Sequence, residues 1–139
     1  MKYILTRPAW QLAIVSGLCV GLAYQPWHLG FLAYIGFIPL VHAWFTHNTK
    51  NNFKSGYIFG LVYNLISNYW IGMNSGAEFG VVLFSLISAV MYLALFWGIA
   101  GAITGALRKD VNLYLLLPFL VVALEWIRSF GPLGFAWGN

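Results

Sequence analysis

"FGVVLFSLISAVMYLALFWGIAGAITGAL", residues 79–107, is a run of 29 residues without one charge. At a rise of about 1.5 Å per residue it makes a helix of roughly 44 Å, longer than a bilayer core of roughly 30 Å. Such a helix is predicted to tilt or to project into water. Working outward from it, the same pattern recurs: no Asp, Glu, Lys or Arg lies between Trp10 and Phe45, and none between Ser55 and Ala77. In a chain of 139 residues, 61% hydrophobic and 7% charged, there is too little charge to coat a soluble surface. A small globular core has room to bury one apolar run, not most of the chain. The predicted fold class is therefore all-α, a polytopic membrane helical bundle of about five transmembrane helices.

The expected spans are about 10–24, 29–45, 55–73, 79–107 and 111–127, with 128–139 as an outer interfacial loop. Gln25-Pro26 ends the first span, because proline disfavours helical geometry in the residue before it. Trp27 and His28 then turn the chain at interfacial depth, where amphipathic rings are well accommodated. "THNTKNNFK" (46–54), "NSGAE" (74–78) and "RKD" (108–110) read as connectors. Pro39 and Pro118 fall inside spans, where each removes a backbone donor that neighbouring groups must replace. Counting positive residues beside the spans sets the orientation. With a cytoplasmic N-terminus, Lys2, Arg7, Lys50, Lys54, Arg108 and Lys109 lie inside and Arg128 alone outside.

The same dispersal of basic residues between apolar blocks argues against a nucleic-acid groove. Cys19 has no second cysteine to pair with and reads as a small packed hydrophobe. His28, His42 and His47 have no partner at ligand spacing, so neither a metal site nor a cofactor is expected.

Gly56, Gly60, Asn64, Asn68, Gly72 and Gly76 recur at every fourth position, a slowly drifting stripe along one helix side. Glycine permits close backbone approach and asparagine can hydrogen-bond across a contact, so the stripe reads either as helix packing or as a polar pocket or headgroup contact. Gly17 with Gly21, and Gly101 with Gly105, repeat the close-packing pattern. Glu125 is the acidic residue inside a span, near its outer end. Arg128, one turn later, offers an ion pair that lowers the cost of placing a carboxylate there. Phe130, Phe135 and Trp137 follow among glycines and a proline. They suit either an interfacial anchor or the lining of an opening for a lipid tail.

Three blocks carry a resemblance: "LAYQPWHLGFLAYIGFIPL" (22–40), "NYWI" (68–71) and "ALEWIRSFGPLGFAWGN" (123–139). In this order and spacing the chain resembles the N-terminal membrane region of bacterial apolipoprotein N-acyltransferase. Gln25, where many members have proline, Asn74, where serine is frequent, and Ala136, where proline usually precedes the tryptophan, depart from the pattern. The resemblance implies a multi-pass protein of the bacterial cytoplasmic (inner) membrane, monomeric at full length. Its acyl donor would be membrane phospholipid and its acceptor a diacylglyceryl lipoprotein. It further implies that Trp137, with Phe135, Trp27, Glu125 and Arg128 as companions, borders a lipid entrance. The family's catalytic glutamate, lysine and cysteine lie in a nitrilase-like domain that this stretch lacks, so no catalytic residue is expected here and the chain reads as a truncated portion. Two other classes compete: a small transporter or channel subunit with a polar path along the Gly56–Gly76 stripe and Glu125, and a purely structural membrane module.

Overall fold

Why the first helix, α1 (Ala9–Ala23), begins where it does is set by Pro8, whose carbonyl accepts from the amides of Gln11 and Leu12. Proline suits this position because its ring presets φ and it has no amide to leave orphaned. The computed structural model describes residues 7–24, 28–73 and 76–130. Tyr24, the C-cap of α1, is extended (φ −75°, ψ 153°). His28 holds a φ of 54°, left-handed geometry that non-glycine residues adopt rarely and histidine more readily than most.

The expected span 29–45 is interrupted. It consists of α2 (Leu32–Gly36) and α3 (Ile38–Thr46), with Phe37 between them. Pro39 causes the break, since it has no amide and its ring crowds the carbonyl four residues back. Phe37 stays in the right-handed region (φ −78°, ψ −17°), so the interruption is a change of hydrogen bonding rather than a reversal. The Leu40 amide donates to the Ser16 hydroxyl of α1 across 3.0 Å of buried interior.

The polar connector expected at 46–54 is also shorter than anticipated, because α4 (Thr49–Ser67) starts within it. Asn48 is its cap: the side-chain oxygen accepts from the Asn51 amide at 2.9 Å. A 3-10 segment, Tyr69–Met73, follows α4, so Gly72 and Gly76 leave the 100° progression that made them part of the stripe. Next, α5 (Phe79–Leu107) fills the uncharged run from end to end, and α6 (Leu113–Arg128) is capped by Asn112, whose side chain accepts from the Tyr114 amide.

All regular structure among the described residues is helical. Among the described residues one helix, α5, is both long and apolar enough to cross a bilayer, while α1 and the interrupted Leu32–Thr46 stretch are shorter apolar segments.

Close contacts give the helix directions. Leu40 meets Ser16 and Gly36 meets Val20, so α2 and α3 run against α1. Gly17 faces Val62 and Gly21 faces Ile66, which makes α1 and α4 parallel. Gly60 faces Ala94 and Gly105 faces Thr49, so α4 and α5 are antiparallel. The core between them holds Leu12, Leu40, Trp44, Phe59 and Leu93, all essentially fully buried. Connections therefore alternate between two ends. One end joins the start of α1, the α3–α4 link and the end of α5, where an Arg108 guanidinium nitrogen donates to the His47 carbonyl at 2.7 Å. The other holds Tyr24, Tyr63, the 3-10 segment and the end of α6.

Candidate functional site

Four of the sequence candidates, Gly56, Gly60, Gly101 and Gly105, sit on the α4–α5 seam. A Cβ at Gly56 would run into the Trp97 carbonyl and one at Gly101 into the Asn52 carbonyl, while one at Gly60 would stand 2.7 Å from the Ala94 Cα. Gly105 faces the Thr49 Cα at 2.6 Å on the same measure. Opposing backbones fill the space that the missing side chains leave, so the seam is closed.

Asn64 and Asn68 are buried, yet their amides bond along their own helix and not across the contact. Asn64 donates to the Gly60 carbonyl at 2.7 Å, and Asn68 donates to the Asn64 side-chain oxygen at 3.4 Å. The carbonyl one turn earlier on the same helix lies within reach of the short Asn64 side-chain amide.

The remaining described candidates, Glu125 and Arg128, form an ion pair of 3.3 Å on the last turns of α6. Arg128 is 5% exposed and Glu125 33%. They border a cleft between α5 and α6, with Phe96, Trp97 and Ala100 on one wall and Val121 and Leu124 on the other. Its volume, about 10 Å³, is roughly that of a single probe-sized water. The Arg128 Nε is buried and has no hydrogen-bond partner among the described residues. What this arrangement offers chemically is an N–H donor for a small polar or anionic atom. None of the lining side chains carries a thiol, a hydroxyl or an imidazole.

Behind the cleft is an aromatic cluster that links four elements. Trp97 stands edge-on to Phe59 (centroids 4.8 Å) and to Tyr63 (6.1 Å), and Phe37 packs on both Phe59 and Trp97. The Tyr63 hydroxyl donates to that of Tyr24 at 3.1 Å. Sequence reasoning singled out none of Tyr24, Tyr63 or Trp97. Tyr24 and Tyr63 are 39 positions apart, and Trp97 lies in a helix that is apolar all round, where periodicity gives no face. Trp27, Phe135 and Trp137 lie outside the described residues. The structure thus brings Glu125 and Arg128 to Trp97, whose carbonyl also faces Gly56 in the glycine seam.

Cys19, half-buried in α1, packs close to Gly36 of α2. Among the described residues no group of three histidines, cysteines or carboxylates is placed to hold a metal ion.

Residues 16–139 match the family described as the apolipoprotein N-acyltransferase N-terminal domain. Among similar relatives is a Caulobacter vibrioides protein named apolipoprotein N-acyltransferase, 30% identical over 135 residues, a stretch covering 91% of this chain and 25% of that protein. A Geobacter metallireducens protein of the same name is 28% identical over 138 residues, covering 96% of this chain and 26% of the relative. The chain spans about a quarter of the length of these curated relatives.

Proposed function

Because this chain belongs to the apolipoprotein N-acyltransferase N-terminal domain family, we propose that it is the membrane scaffold portion of such an enzyme. The family match over residues 16–139 is the observation that carries this reading. In it, the helices form a multi-pass bundle of about five spans in the bacterial inner membrane, N-terminus cytoplasmic. The full-length enzyme, a monomer, moves a fatty acyl group from phospholipid to the N-terminal diacylglyceryl-cysteine of a lipoprotein. Alternating helix directions support the topology, since they gather Arg7, Lys50, Lys54, Arg108 and Lys109 at one end, the side that basic residues favour.

The scaffold's contribution is positional. Holding a lipid next to a reacting group turns an encounter into an intramolecular step. At the outer end the Glu125–Arg128 pair fixes the last turn of α6, and Trp137, Phe135 and Trp27 border the lipid entrance. Acyl transfer through a thioester needs an activated thiol. Cys19 sits in the first membrane span and packs as a hydrophobe, so the reaction's nucleophile belongs to a domain other than this one. The closed glycine seam and the internally bonded asparagines favour packing over a polar transport path.

Two experiments test the proposal. In a Cys19→Ser background, Trp137→Cys should react with an impermeant maleimide from outside intact spheroplasts, and Lys50→Cys only after permeabilisation; the opposite pattern overturns the topology. The chain incubated with phospholipid and a diacylglyceryl peptide should give no acylated product. Turnover that Cys19→Ala abolishes would overturn the scaffold assignment.

A further inference from the structure

At the basic end of the bundle a second cleft, of about 310 Å³, opens between the start of α1 and the start of α4. Its walls divide by chemistry. Trp10 and Ile58 offer apolar surface, while His47, Asn51, Lys54 and Ser55 are polar. Trp10 is 51% exposed although it is a large aromatic residue, and Asn51 and Lys54 are exposed at the rim.

Some polar groups here are already occupied. The Asn51 amide is held by the Asn48 cap, the Ser55 hydroxyl donates to the Asn52 carbonyl, and the His47 Nδ1 lies within 3.0 Å of the Ala43 carbonyl. The Lys54 ammonium and the Asn51 side-chain amide are left to face an incoming group. Among the described residues Lys54 has no carboxylate partner: the first acid in the sequence is Glu78, and the ion pair formed there is Glu125 with Arg128. Arg7, next to Pro8, and Lys50, next to Asn51, add to the positive potential without a counter-charge from the same helices.

We propose that this cleft binds the headgroup of an anionic phospholipid, with its phosphate at Lys54 and Asn51 and its glycerol and upper acyl carbons against Trp10 and Ile58. An uncompensated ammonium beside apolar surface selects an amphiphile with a negative head over both a neutral lipid and a free anion, and basic pockets between helices at a cytoplasmic surface suit such heads. The indole belongs at the same depth, where aromatic rings concentrate. This site rests on the membrane topology given above and lies at the opposite end from the acyl-donor entrance. Its lipid bridges α1 to α4 and is not a substrate.

The test is lipid retention. The chain is extracted from membranes in mild detergent, exchanged against phosphatidylglycerol or phosphatidylcholine, and its bound lipid counted by native mass spectrometry. Phosphatidylglycerol should be retained at least about fivefold better, the advantage of roughly one basic residue near the surface. Lys54→Gln should remove most of that preference, Lys54→Arg should keep it, and millimolar inorganic phosphate should not compete. Equal retention of the two lipids, an unaffected Lys54→Gln variant, or displacement by phosphate overturns the site. Carbonate washing of the membranes beforehand separates the two levels: wild-type protein that washes off sinks the membrane topology and the site together, while integrated protein without lipid preference sinks the site alone.

Discussion

Replacing Gly60 by alanine puts a methyl group 2.7 Å from the Ala94 Cα, 3.0 Å from its Cβ and 3.1 Å from its carbonyl oxygen. Carbon atoms are comfortable at about 3.5 to 4.0 Å, so α4 and α5 have to move apart locally by about 1 Å. The obstacle is largely main chain, and no side chain can turn aside to relieve it. Overpacking of this kind costs about 1 to 3 kcal/mol, while exchanging glycine for alanine inside a helix returns at most about 1 kcal/mol. Gly80 supplies the control: it lies in the first turn of α5, and a Cβ there meets nothing within 4 Å. Gly60→Ala is therefore expected to be about 1 to 2 kcal/mol less stable than Gly80→Ala. Far-UV circular dichroism during sodium dodecyl sulfate titration of the protein in dodecyl maltoside reads the difference. Equal stability of the two variants, or a more stable Gly60→Ala, would refute backbone contact as the basis of this seam.

Three further substitutions probe other parts of the fold by the same assay. Ser16→Ala leaves the buried Leu40 amide without its acceptor and should cost about 1 to 3 kcal/mol, with Ser16→Thr recovering part of the loss. Glu125→Ala strands the buried Arg128 guanidinium; because Glu125 is itself a third exposed, the expected loss is about 1 to 2 kcal/mol rather than that of a fully buried pair, and adding Arg128→Leu should restore some of it. Asn48→Ala removes the cap of α4 and should cost about 1 kcal/mol, with amide exchange speeding up at Asn51 and leaving the middle of the helix unchanged.

How much of this was legible in the sequence depended on the kind of force at each place. The extent of α5 was, since an uncharged run of that length has few ways to end other than at its first charges. The Glu125–Arg128 pair was also legible, because a spacing of three on a helix brings side chains together. The start of α4 was hidden: Thr, Asn and Lys look like a loop, but an asparagine side chain aimed at an amide three residues on starts a helix there. Pro39 announced a disturbance in its span without saying where the break falls or that Ser16 would take up the Leu40 amide. Tyr24, Tyr63 and Trp97 meet only through tertiary packing, which leaves no periodic trace in a helix with no polar face.

The glycine seam has a mechanical consequence. Where two helices touch through their main chains, rotamer exchange cannot alter their spacing, and α4 with α5 acts as one stiff strut. When the surrounding lipid becomes thicker or thinner, that strut is expected to lean as a unit. Probes at Leu61 and Met91 should then hold their separation across bilayers of different acyl length. The distance from either one to Phe119 of α6, whose outward face is left uncovered along Tyr114, Phe119, Val122 and Trp126, should follow the thickness.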